Sequence, residues 1–74
     1  MILKIAKKTY KKFSGNNGDE FDYWWYWAED EKGKAINFGS KNEYEVNDVR
    51  NLLIAETEYL NKKGETKKLF KEVA

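Results

Sequence analysis

A chain of 74 residues with no cysteine and no histidine has neither a disulfide framework nor a thiolate metal site, and it lacks the commonest general base. A domain of this length buries only about 60% of the surface its unfolded chain exposes, so the aromatic residues, 16% of the sequence, must supply much of the burial. The net charge of +1 is low for a nucleic-acid protein, but it is unevenly spread.

Lys4, Lys7, Lys8, Lys11 and Lys12 open the chain with no acid among them, whereas Asp19, Glu20, Asp22, Glu29, Asp30 and Glu31 bracket its most aromatic stretch. Lysines interrupt the apolar residues of Met1 to Lys8 too early for a signal-peptide core, and no apolar run reaches membrane-spanning length. A cytoplasmic protein without a membrane partner is expected. Arg50 is the one arginine, asparagine is frequent and proline is absent, a bias that an AT-rich bacterial or phage genome would produce.

In chain order, strands are predicted at 2–13, 20–28, 34–39, 49–60 and 65–73. Gly15-Asn16-Asn17-Gly18 is the first turn signature. Asp30-Glu31-Lys32-Gly33 and Asn61-Lys62-Lys63-Gly64 share a second form, in which an Asx residue opens a type I turn and glycine takes the left-handed position of a bulge. Ser40-Lys41-Asn42-Glu43 matches a capping box and predicts one short helical turn near 41–46. The expected fold is all-β: a small, five-stranded, antiparallel, partly open barrel, OB-like or SH3-like, forming one domain over residues 1–74. The alternative is an α+β fold with a helix at 48–61, since Val49, Leu52, Leu53, Glu56, Tyr59 and Leu60 also fit helical spacing between Asn47 and Gly64. Ile54, Thr57, Thr66 and the repeated turn favour strands.

The turn at Asp30 fixes the register of the central hairpin. With Gly33 as the bulge, Ala28 falls opposite Ile36, Tyr26 opposite Phe38 and Trp24 opposite Ser40, all on the predicted core face with Leu3, Ile5, Leu53 and Leu69. Trp27 then meets Asn37, and Trp25 meets Gly39, which an aromatic ring can cover. Phe21, Tyr23, Trp25 and Trp27 thus form a row on the opposite face, toward solvent. A sheet that curls over the row, or a register slip of one residue, would bury it as core instead.

An exposed aromatic row asks for a ligand. Stacked bases, with phosphates on the lysines, are the first expectation: a non-catalytic module for single-stranded nucleic acid whose binding residues are Phe21, Tyr23, Trp25, Trp27, Lys8, Lys12, Lys67 and Lys68. The alternatives are a protein-binding adaptor or inhibitor module, encoded by a phage or mobile element, and a homo-oligomerisation face. No catalytic residue, cofactor or metal site is expected. Glu56 and Glu58 could be imagined as a carboxylate pair, but the register sets Glu58 opposite Lys68, as in an ordinary ion pair. The acidic clusters lack the spacing of a calcium loop, and Gly15–Gly18 lacks the lysine of a phosphate loop.

Overall fold

Strand-forming aromatic and β-branched residues, punctuated by turns, produce six strands among the described residues: β1 (Ile2–Ser14), β2 (Glu20–Glu29), β3 (Ala35–Ser40), β4 (Val49–Asn51), β5 (Ile54–Leu60) and β6 (Thr66–Glu72). The computed structural model describes residues 1–14, 20–61 and 63–73, with the backbone alone at 13, 14, 20 and 21. The first turn signature and Lys62 therefore lie outside the described residues.

The strands make one sheet in the order β4-β1-β2-β3-β6-β5, not closed into a barrel. Among the described residues no helix forms at all, so none is long and apolar enough to cross a membrane. The all-β expectation holds, and the α+β alternative with a helix at 48–61 does not.

Several details differ from expectation. Segment 49–60 is two strands: β4 pairs with β1, β5 pairs with β6, and only Leu52 and Leu53 join them. Since β4 and β5 are the two edges of the sheet, the sheet must roll until its edges meet at those two residues. Bonds from Leu52 N–H to Met1 O (2.8 Å) and from Val73 N–H to Leu53 O (2.8 Å) hold the two sides of this seam. Leu52 turns inward and is buried, whereas Leu53, expected in the core, is 67% exposed.

The sheet is also not wholly antiparallel. Segment 49–60 runs against both β1 and β6, so β6 runs in the direction of β1 and β3, and its pairing with β3 is parallel. A fourth strand that serves both edges, with the third and fifth parallel, is the winding of the OB-like alternative, left open.

The helical turn near 41–46 does not form. Ser40 Oγ accepts a bond from Asn42 N–H (3.0 Å), and Glu43, which a capping box would turn back to Ser40, reaches Lys8 instead (2.9 Å). Finally, β1 carries a bulge. Ile5 pairs with Ala28 and Lys7 with Trp27, so Ala6 is the extra residue. Ile5 there bonds to the loop before β4, donating to Asp48 O (2.9 Å) and accepting from Asn47 N–H (2.7 Å).

The inner face holds Leu3, Ile5, Tyr26, Ala28, Ile36 and Phe38, closed by Tyr44 and Leu52, with Trp24 and Ile54 at the margin. Leu3, Ile5, Tyr26 and Phe38 are fully buried, each worth roughly 1.5–3 kcal/mol in apolar burial. Tyr26 keeps its hydroxyl satisfied by donating to Asn42 O (2.6 Å) and accepting from Tyr44 N–H (2.8 Å).

Candidate functional site

The central hairpin has the register that its turn chemistry implies. Asp30 N–H donates to Lys34 O (2.9 Å), Gly33 N–H donates to Asp30 O (3.0 Å), and Gly33 has φ +79°. Asp30 Oδ1 accepts from Lys32 N–H and Lys34 N–H, both at 2.9 Å. Trp27 faces Asn37, Trp25 faces Gly39 and Trp24 faces Ser40. With Tyr26 and Ala28 buried beneath, alternation sends Tyr23, Trp25 and Trp27 to the outer face, where all three are half-buried.

What covers them in part is visible on either side. Tyr23 and Trp25 lie over Gly39: a Cβ built there would sit 3.4 Å from Tyr23 Cδ2 and 3.6 Å from Trp25 Cε3. A methyl group fits at van der Waals distance; a longer side chain would lift the rings. On the β1 side, Lys7 Nζ stands 4.8 Å from the centroid of Trp27 and Lys11 Nζ 6.0 Å from that of Trp25. Phe21 continues the backbone of the row opposite Phe13, but its side chain lies outside the described residues.

Three of the expected lysines, Lys8, Lys12 and Lys68, fall on the other face of the sheet. Because of the bulge at Ala6, Lys8 and Lys12 pair with Tyr26 and Asp22 and so share the inner face, while Lys7, Thr9 and Lys11 pair with Trp27, Trp25 and Tyr23. Lys8 is committed there: it bonds to Glu43 at 2.9 Å and caps the Trp24 ring at 5.1 Å. The Glu43 hydrogen bond holds its ammonium pKa above the ordinary lysine value. Lys67 lies 3.6 Å from Glu65, on the β5–β6 hairpin. Lys68 faces Glu58 in register, but its ammonium reaches the diagonal Glu56 at 3.6 Å. Lys71, opposite Gly39, lies on the aromatic side of β6, a face that Lys67 shares by alternation further along the hairpin.

Lys7 and Lys11 thus stand on the aromatic face, where sequence reasoning selects Lys8 and Lys12 from the same strand. A bulge made by contacts with residues 47 and 48 leaves no local signal in β1. The bracketing acids also sort by face. Asp22 lies on the opposite face of the strand, exposed and accepting from the Tyr10 hydroxyl, which holds its carboxyl below the ordinary value; Asp30 is tied into its turn; Glu29 follows Trp27 on the outer side.

Toward the start of β6 the parallel pair separates, since only Phe38–Phe70 and Gly39–Lys71 are bridged. The resulting open groove, of about 360 Å³, runs from Trp25 and Asn37 to Leu69 and Phe70. Among the described residues no cluster of acidic side chains could hold a metal ion. Comparison with protein-family models, with curated proteins and with solved structures finds no match to this chain.

Proposed function

We propose that the chain is a non-catalytic binding module for single-stranded nucleic acid and that the outer face of β2 is its working surface. The observation that carries the reading is the row Tyr23, Trp25 and Trp27, half-exposed on one face, with Lys7 and Lys11 along one side and Lys71 on the other. Rings of this kind stack bases of any sequence, and flanking cations follow the phosphates. The register sends Asp22 to the opposite face and so takes one of the bracketing carboxylates off this one. An OB-like winding adds support by analogy alone, since such barrels bind oligonucleotides on the face of their second and third strands.

The test is titration of the protein with oligo-dT and oligo-U, followed by tryptophan fluorescence. Binding is expected to weaken steeply between about 50 and 200 mM salt, and Trp25→Ala is expected to lose about 1–3 kcal/mol. If the wild type binds neither oligomer at about 50 mM salt, the reading is lost and the face is left to a protein partner or a second copy of the chain.

A further inference from the structure

We infer that Lys7 and Lys11 are the phosphate-contacting cations of this face, and that in the free protein their ammonium groups occupy ring surface that bases take over on binding. The inference rests on the nucleic-acid reading of the β2 face and deepens it. Both ammonium groups sit within cation–π range of an indole, at 4.8 Å and 6.0 Å. Both lysines are exposed, and among the described residues neither has a carboxylate partner, unlike Lys8, Lys41, Lys67 and Lys68. Among the described residues, nothing stronger than the rings holds them.

Spacing makes the exchange specific for a single strand. Alternate residues of a strand are about 6.8 Å apart, whereas stacked bases rise about 3.4 Å per nucleotide. One base per ring thus requires a strand stretched about twofold relative to its stacked form, which a duplex cannot supply. Lys7 and Lys11, four residues apart, then stand about 13–14 Å from each other and bracket the phosphates of the row at a two-nucleotide interval. A cation–π contact at an exposed site is weaker than base stacking, so each ammonium can yield its ring and move to the phosphate of the incoming nucleotide.

The experiment compares wild type, the double variant Lys7→Met/Lys11→Met and the control Lys8→Met, with oligo-dT and oligo-U across a salt series. Methionine keeps an unbranched apolar stem and removes the charge. The double variant should lower the slope of log affinity against log salt by about 1.4, the value for two single-strand phosphate contacts. It should bind no worse than wild type at high salt, because no ammonium has to leave the rings. Lys8→Met should keep the wild-type slope. Loss of slope is expected on dT and U alike, since phosphate contact does not involve the 2′-hydroxyl. Circular dichroism checks the fold, and Lys7→Gln/Lys11→Gln replaces the methionine pair if that pair aggregates. An unchanged slope in the double variant, with binding still weakened by Trp25→Ala, overturns the assignment of Lys7 and Lys11 and leaves the nucleic-acid reading standing. Absence of wild-type binding overturns both.

Discussion

Three side chains at residues 40–44 converge on the carboxylate of Glu72: Ser40 Oγ at 2.5 Å, Tyr44 Oη at 2.6 and 2.7 Å from its two oxygens, and Asn42 Nδ2 at 3.2 Å. Burial pushes the carboxyl pKa up, but these bonds together with the charge of Arg50 outweigh it, and the group titrates below its ordinary value of 4.5. A carboxyl with a depressed folded pKa binds fewer protons folded than unfolded, so its stabilisation is present above 4.5 and is lost as pH falls through the folded value. Urea midpoints should therefore decline as pH drops below that point, and Glu72→Gln should remove part of the decline while costing about 1–3 kcal/mol at neutral pH. An undiminished decline in the variant would move the acid sensitivity to other carboxyls, Asp22 first. Nothing local announces this network. Glu72 reads as one more charge in a lysine-rich strand, and its partners lie 28 to 32 residues away.

At the scale of elements, the same turn occurs twice in different settings. Asn61 repeats the bonds of Asp30, with Oδ1 accepting from Lys63 N–H (2.9 Å) and Glu65 N–H (3.0 Å), and Gly64 repeats the positive φ of Gly33, at +78°. Alanine at either glycine meets no neighbour within 4 Å, so its cost is backbone strain, about 1–2 kcal/mol. Gly33 links β2 to β3, which carry Tyr26, Ala28, Ile36 and Phe38 of the core, whereas β5 beyond Ile54 is exposed along its whole length. Gly33→Ala should thus lower global stability by the full amount, while Gly64→Ala should shift the main unfolding transition much less; equal shifts would show that both hairpins unfold as one. These turns are also why the central register, and with it the outward row of Tyr23, Trp25 and Trp27, could be read from sequence: an Asx residue and a glycine at fixed spacing leave one pairing. The bulge at Ala6 and the break at Leu52–Leu53 could not, because contacts with distant segments create them. The sequence therefore reveals which aromatic residues face outward but not which lysines accompany them.

For the molecule as a whole, the rolled sheet is unequally secured. β1, β2 and β3 share long antiparallel ladders over a buried core, and the loop through Tyr44 closes that core from within. The β5–β6 hairpin joins them through two parallel pairs, the seam at Leu53 and the Glu72 network, all at its inner end. Its outer part, where 57–60 pair with 66–69, is a two-stranded ladder with mostly exposed side chains, and an isolated hairpin is marginal in water. Local opening should therefore outrun global unfolding in this arm. Native-state hydrogen exchange should give the bonded amides of 57–60 and 66–69 opening free energies at least about 2 kcal/mol below those of Tyr26 and Phe38. The amides of the β2–β3 ladder should exchange only through global unfolding. Protection of the arm at the level of Phe38 would mean that the wall of the groove between β3 and β6 belongs to the same cooperative unit as the core; weak protection leaves the groove wall beside Trp25 free to move without disturbing the strand that presents the rings.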